Sequence, residues 1–573
     1  MRTGHFSHIL SHLHDHSLRT PDKPFVILRI GADRRQITFR DAWRDVAAAQ
    51  AAIARAGVPP DGVALLFMPQ GWEALAWYFG AIAHGCTASF MPGPSAKQDP
   101  DLYWQSHVKL MQRITPSCLI TTDHYDAQIQ RNGLLTDGCR MVRVRPLDPA
   151  AAPDSTLATG LEQRTGTPPI LQHSSGTTGL KKGVMLSHDA ILTQVATYAD
   201  AIEARADDVI VSWLPLYHDM GLVACSLMPM ILGQTIVLLD PFEWVARPAT
   251  LMDAIDAHRG TLCWLPNFAF DHLARTVDPA SGAFRLDSIR AFINCSEPCQ
   301  ALSFRRFADR FRPAGLSDTA LHVCYAMAET TFAVTQTPIT TAPTTLTVDR
   351  VALHEQGRVM APADPTNATE LLSAGVPIEG TGISIVDDAG QSVADDVVGE
   401  VCIRSRSLFS GYFRLPEMTA ERLTGTLYRS RDRGFRHDGQ LYVLGRLDDL
   451  VIVAGRNFHA AEVETILNGV AGLKPGRNVV FGIPNAERGT NDLVAVAEVE
   501  KPEDADRGSA GHRALRAAVR HAMFQSLGIY PAEVRLVETG WLIKTTSGKI
   551  ERGRNAEKYL RDKTQPQAQG VAG

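Results

Sequence analysis

The eleven residues from His173 to Gly183, His-Ser-Ser-Gly-Thr-Thr-Gly-Leu-Lys-Lys-Gly, hold three glycines, four hydroxyls and two lysines, directly after the apolar stretch PPILQ. Glycines let backbone N–H groups approach an anion, hydroxyls donate to its oxygens, and lysine brings positive charge. A flexible polar turn could have the same composition, but the combination fits phosphate binding. It is not a Walker A loop, because no Gly-Lys-Ser/Thr stands at the required spacing.

Four further stretches carry chemistry: Tyr325-Ala326-Met327-Ala328-Glu329-Thr330, Tyr428-Arg429-Ser430-Arg431-Asp432, Gly445-Arg446-Leu447-Asp448-Asp449 and Thr545-Thr546-Ser547-Gly548-Lys549-Ile550. In this order and spacing, together with the glycine-rich loop, they resemble the acyl-adenylate-forming superfamily, the AMP-binding synthetases and ligases. The resemblance spans nearly the whole chain. It implies a reaction in which a carboxylate attacks the α-phosphate of ATP and expels pyrophosphate, with charge neutralised throughout.

The resemblance also implies roles. Ser174, Ser175, Gly176, Thr177, Thr178 and Gly179, with Lys182, would hold the β- and γ-phosphates. Glu329 would hold Mg²⁺ with hydroxyl help from Thr178, since a carboxylate suits a hard cation. Tyr325, followed by Ala326 and Met327, would lie against adenine, with Ser296 and Glu297 of Asn294-Cys295-Ser296-Glu297-Pro298 in a second adenine loop. Asp432 would accept from the ribose hydroxyls, with Arg446 nearby. Lys549 matches the catalytic lysine, which bridges substrate carboxylate and α-phosphate as charge builds; by itself it would read as a solvated loop lysine. His218 in WLPLYHDMG matches a gating histidine at the acyl pocket, where a merely packed histidine is the alternative. Asp448 would be the hinge of a mobile C-terminal domain. Five residues depart from the family's habit: Ala326 stands for Gly, Cys295-Ser296 for Gly-Ala, Arg431 for the Gly before the ribose Asp, and Lys181 for Pro. Arg431 would be strained if its position needs a positive φ.

Within the superfamily, WLPLYHDMGL, PNFAFD, the Ser-Glu-Pro loop, YAMAETTFAV and the segment 345–373 resemble the fatty acyl-AMP ligases, or acyl-carrier-protein synthetases. That branch implies an insertion that packs on the N-terminal domain, disfavours coenzyme A as acceptor and leaves transfer to a carrier protein's phosphopantetheine. No carrier domain lies in the chain, so the acceptor would come in trans. A fatty-acid:coenzyme A ligase is the alternative, favoured by Asp448 where the branch often has Lys. A catalytically silent nucleotide-binding scaffold is a third reading. Acyl chain length is not legible.

The elements that must position these residues follow from periodicity. ITFRDAWRDVAAAQAAIARAG reads as a helix ending at Gly57, GVALLFMP as a buried strand, GWEALAWYFGAIAHG as a helix and TASFMP as a strand. The rhythm returns in DVIVSWLPL, TLCWLPNF and RAFINCSE, which implies parallel strands with helices on both faces and ligands beyond the strands' carboxyl ends. The expected architecture is α/β. A large N-terminal AMP-binding domain, 1–447, ends in a β subdomain. A small mobile α+β lid follows at 448–561, with a disordered polar tail at 562–573. The stretch from Ile339 to Gly375 reads as a surface excursion without regular period.

Composition bounds the rest. With 573 residues, 45% hydrophobic and 21% charged, the chain is of ordinary globular type. Lys plus Arg number 57 against 62 Asp plus Glu, a net charge of -5, so no nucleic-acid partner is expected. Nine cysteines without a CxxC predict neither a disulfide framework nor a zinc site. The N-terminus lacks the apolar core of a signal peptide, which predicts a cytoplasmic location. Its histidines, His5, His8, His12, His14 and His16, read as a polar, partly exposed helix rather than a metal site. The apolar run 222–239 is divided by Pro229 and the Gly233 turn into a buried helix and a strand, so no membrane span is needed.

Overall fold

The computed structural model describes residues 6–94, 100–147, 155–173, 182–280, 284–453, 456–485, 490–544 and 550–564. The predicted first helix spans Phe39–Arg55 and starts in a capping box, in which Thr38 accepts from the Asp41 N–H and Asp41 reaches back to the Thr38 N–H. It ends before Gly57, whose φ of +70° glycine adopts without strain. Its partner, Trp72–His84, lies so close that a Cβ on Gly80 would stand 2.6 Å from that of Ala49. Small residues let the two backbones approach.

Two sheets build the N-terminal body. One has nine strands among the described residues, with a parallel interior in the order Leu321–Ala326, Ala291–Asn294, Leu262–Leu265, Val209–Ser212, Thr235–Leu239, Pro24–Arg29. The other has seven, with Ile170–His173, Thr87–Phe90, Val63–Phe67, Cys118–Thr121 and Arg140–Arg143 in parallel. A continuous apolar core joins them. An antiparallel β subdomain follows, its strands Gly382–Val386, Gly399–Arg404, Leu427–His437 and Gln440–Arg446 paired in sequence order.

From Val451 onward the buried apolar residues form cores of their own. Strands Leu473–Asn485, Thr490–Val499 and Glu533–Val537 make a three-stranded sheet, packed by helices Ala460–Asn468, Ala510–Leu527 and Arg552–Thr564. The last helix reaches Thr564, so 562–564 are helical rather than part of a tail; Asp562 pairs with Arg535 at 2.9 Å and extends the helix's anchorage. Residues 565–573 lie outside the described residues.

Three other expectations change. The N-terminal helix, Ile9–Arg19, is not surface decoration: Ile9, Leu10 and Leu13 are buried in the main core, and His8 and His12 are buried beside them. Among the described residues no group of three or more His, Cys, Asp and Glu side chains is placed to hold a metal ion. The segment 345–373 is regular, a hairpin of Thr345–Asp349 and Ala368–Leu372 enclosing the helix Arg350–Glu355. Alternation in Thr-Leu-Thr-Val places Leu346 and Val348 inward, where Val348 and Leu353 pack on Val398, Phe435 and Tyr442 of the β subdomain. In the apolar run, Pro229 lies where the helix Met220–Leu227 passes directly into the helix Met228–Leu232 and does not end the helical backbone, so only Gly233 breaks the chain before Thr235–Leu239. Among the described residues no helix is long and apolar enough to cross a membrane.

Candidate active site

The site's floor is the carboxyl end of the strand Leu321–Ala326, where the pairing with Ala333–Gln336 shifts between Tyr325 and Ala326. That irregularity turns the chain through Met327, Ala328 and Glu329. The turn is pinned from within, by the Met327 N–H donating to Phe332 O at 2.9 Å and the Thr330 hydroxyl to the same carbonyl at 2.8 Å. The Tyr325 hydroxyl donates to Asp432 Oδ2 at 2.5 Å, and Arg446 Nε stands 3.6 Å from Asp432 Oδ1. Burial pushes the Asp432 carboxyl up to about 6; Arg446 and the tyrosine bond oppose the shift, and the nearby Glu329 and Asp449 add to it.

The φ of Arg431 is +64°, so an arginine occupies the left-handed position that a glycine would take without strain. Glu400 holds it there by accepting the Arg431 N–H at 3.1 Å and Arg429 Nε at 3.0 Å. In the second loop the left-handed residue is Ser296, at φ +74°, while Cys295 is fully buried beneath it. The bulk that replaces Gly-Ala therefore points into the core. Asn267 braces this loop, accepting from Asn294 Nδ2 at 2.9 Å and the Gln300 N–H at 3.1 Å. The Glu297 carboxylate accepts the Phe268 N–H at 3.1 Å, which makes it a brace of the helix Asn267–Thr276 as well as a loop residue.

Ser174, Ser175, Gly176, Thr177, Thr178 and Gly179 lie outside the described residues; the strands on either side of them, Ile170–His173 and Gly183–Leu186, pair with each other. Lys182 is described, its Nζ 5.4 Å from the centroid of the Tyr412 ring. The hydroxyl of the same tyrosine donates to Glu329 Oε1 at 2.8 Å. The structure thus brings Lys182 and Glu329 together around Tyr412, a residue that the motifs of the sequence do not include. Its signal was the Gly411-Tyr412 pair between longer strands.

His218 follows the strand Val209–Ser212, with Nδ1 2.6 Å from Asp219 Oδ1. Asp219 also accepts the Met220 N–H at 2.8 Å and so starts the wide-turn helix Met220–Leu227. Gly221 is obligatory here, since a Cβ would fall 2.3 Å from Pro215 O. Gln172, next to the glycine-rich loop, donates to Tyr217 O at 2.8 Å and ties the histidine's loop to it.

Lys549 and its neighbours 545–548 lie outside the described residues, as does the side chain of Asp448, whose backbone forms the short turn Leu447–Asp449. The ends of both segments meet at Arg552. Its guanidinium pairs with Asp449, donates to Glu464 Oε1 and Oε2 at 2.9 and 3.0 Å, and donates through Nε to Val480 O at 2.9 Å. Sequence reading had not singled out Arg552, although it follows Lys549 by three residues.

The family model described as AMP-binding enzyme matches residues 13–413. The chain belongs to that family. It is 30% identical over 553 residues to the long-chain-fatty-acid–AMP ligase FadD32 of Mycolicibacterium smegmatis, covering 88% of this chain and 85% of that one. To FadD26 of Mycobacterium marinum, also named a long-chain-fatty-acid–AMP ligase, it is 29% identical over 526 residues and 88% of each chain. A solved structure from a study of fatty acyl-adenylate ligases of E. coli and L. pneumophila superposes with a TM-score of 0.86 at 23% identity, covering 98% of this chain and 99% of that one. The last shows a shared fold. The chain is accordingly an adenylate-forming ligase, and its relatives lie on the fatty acyl-AMP branch.

Proposed function

We propose that this enzyme activates a fatty acid with ATP to acyl-AMP, releasing pyrophosphate, and passes the acyl group to the phosphopantetheine thiol of an acyl carrier protein supplied in trans. The observation that carries the first step is a pair of carboxylates, Asp432 and Glu329, flanking the 325–329 turn and each held by a tyrosine hydroxyl. One suits ribose hydroxyls and the other a hard cation. The relatives' names support the substrate class.

In this reading Tyr325, Ala326, Met327, Ser296 and Glu297 bound the adenine site, Asp432 with Arg446 takes the ribose, and Ser174 to Gly179 with Lys182 take the outer phosphates. Glu329, with Thr178, would hold Mg²⁺, which when bound neutralises phosphate charge. His218 guards the acyl entrance. A fatty-acid carboxylate oxygen forms the new bond to the α-phosphorus as the bond to pyrophosphate breaks, and Lys549 donates to the oxygens that gain charge. The C-terminal unit, from 448 through the helix Arg552–Thr564, then turns about Asp448 to admit the thiol. ATP–pyrophosphate exchange across a fatty-acid panel tests the first step. Lys549→Ala is expected to lose about 10²–10³-fold, as for one transition-state donor. Exchange at the wild-type rate would reject the assignment, and no exchange by the intact chain would favour the scaffold.

The acceptor turns on the insertion. Its Glu370 pairs with Arg305 of the N-terminal body at 2.8 Å, and its His354 with Glu462 of the C-terminal unit at 3.1 Å. A segment that grips both units biases the rotation between them, and about 1.4 kcal/mol already changes a population ratio tenfold. Excising 345–373 with a Gly/Ser bridge is expected to raise acyl-coenzyme A formation without a matching rise in adenylation, read by product mass. Efficient acyl-coenzyme A synthesis by the intact chain would instead favour the coenzyme A ligase.

A further inference from the structure

Tyr412 lies where three parts of the site converge. It occupies the two-residue strand Gly411–Tyr412, paired antiparallel with Gly183–Leu186 so that Tyr412 stands opposite Val184. That register places its ring beside Lys182, the residue that leads into the same strand. Its hydroxyl donates to Glu329 Oε1 at 2.8 Å and lies 3.4 Å from the hydroxyl of Tyr428, four residues before Asp432 on the neighbouring sheet. The surroundings leave the ring little choice of position. Its side chain is buried, its N–H donates to Thr419 Oγ1 at 2.9 Å, and Phe409 meets its face edge-on with centroids 4.8 Å apart. The same short segment grips the backbone of Glu329, whose carbonyl accepts the Phe409 N–H at 2.8 Å. Gly411, at φ +134°, supplies the conformation that delivers the ring, and a Cβ there would press on Thr419 at 3.1 Å.

We propose that Tyr412 is a positioning residue that sets Glu329 and Lys182 as one unit, the hydroxyl orienting the carboxylate and the ring face seating the ammonium. The inference rests on the reading of Glu329 as cation ligand and Lys182 as phosphate ligand. A hydroxyl on Oε1 fixes the carboxylate plane and turns Oε2 toward a cation, as partners of ligating groups do in metal sites. A ring under an ammonium holds it near the ring axis without adding a countercharge of its own.

Tyr412→Phe keeps the ring and its seat for Lys182 but removes the bond to Glu329; Tyr412→Leu removes both. Two readouts separate orientation from mere packing: the Mg²⁺ dependence of ATP–pyrophosphate exchange, and Mn²⁺ binding by electron paramagnetic resonance with a non-hydrolysable ATP analogue. For Tyr412→Phe, the Mg²⁺ midpoint and the Mn²⁺ Kd are each expected to rise about tenfold, the scale of one hydrogen bond to a charged group. The KM for fatty acid should stay fixed. Tyr412→Leu should add a rise in the KM for ATP that Tyr412→Phe lacks. Unchanged metal affinity in Tyr412→Phe, with thermal unfolding at wild-type temperature, overturns the proposal. A Tyr412→Phe variant with lowered Tm and unchanged metal affinity overturns it too, because the role is then packing alone. Glu329→Gln distinguishes the two levels: if it leaves Mn²⁺ binding intact, the reading of Glu329 fails. If it abolishes binding while Tyr412→Phe does not alter it, only the role of Tyr412 fails.

Discussion

The floor of the candidate nucleotide site and the C-terminal unit are each braced by side chains that gather several polar partners, while the polar contacts that cross between them join one pair of side chains each. Inside the C-terminal unit, Arg552 gathers Asp449, Glu464 and Val480 O into one network. In the floor, Tyr325 holds Asp432 and Tyr412 holds Glu329. Across the boundary, Gln300 Nε2 donates to Thr465 Oγ1 at 2.8 Å on an exposed face, and His354 meets Glu462 beside a cleft lined by Arg350, Asn367, Phe458 and Leu527. Removing a side chain that several partners share strands them all, whereas losing a single pair strands one group. Each body can therefore hold its shape while the boundary between them is remade.

The contrast can be broken most directly at Arg552. Arg552→Met leaves Asp449 and Glu464 without their cation, and the C-terminal unit should lose about 3–5 kcal/mol, the cost of breaking a buried pair. Urea unfolding followed by Trp541 fluorescence reads this; an unchanged midpoint would mean that the network does not hold the unit together.

Acid should loosen the N-terminal body next. Burial lowers His8 to about 2, and His12 and His188 to about 4; His188 and Arg164 add to the shift of His8, while Asp15 and Glu162 oppose that of His12. The unfolded chain takes up these protons near the ordinary value of 6.5, before the folded one can. The stability is therefore complete above that value and is lost as pH falls from it toward 4. Tm should drop by several degrees between pH 7 and 5.5, and His8→Phe with His12→Leu should flatten the profile. A profile equally steep in that variant would place the acid sensitivity elsewhere.

At the floor, the raised Asp432 carboxyl sharpens the comparison at smaller scale. Protonated below about 6, it stops accepting from two hydroxyls at once, so AMP affinity should fall about tenfold per pH unit below that value. Calorimetric titration from pH 5 to 7.5 checks the slope, which Asp432→Asn should abolish. The smallest effect belongs to the boundary: His354→Ala, which removes a single pair, should cost no more than about 1 kcal/mol of stability, yet raise the share of acyl-coenzyme A among products. A large loss of stability in that variant would make the boundary as rigid as the bodies it joins.

The sequence alone determined the alternation of helices and strands, because that pattern is written in local periodicity: Phe39–Arg55, Val63–Phe67 and Trp72–His84 lie where composition and caps placed them. It also determined the family, since Gly, Tyr, Glu, Asp and Lys at fixed spacings are chemical requirements that survive without knowledge of the fold. Asp432 and Glu329 were legible for that reason. Their partners were not. Tyr412 and Arg552 act on residues 83 and 103 positions away, Glu329 and Asp449, and no local pattern encodes such a distance. The burial of His8 and His12 was likewise decided by the layer of helices that covers them, not by their own polarity. The left-handed turn fell on Ser296 and left Cys295 in the core because the strand Ala291–Asn294 and the brace at Asn267 dictate which residue faces inward. Local chemistry names the groups that react; only the packed structure decides which side chains hold them still.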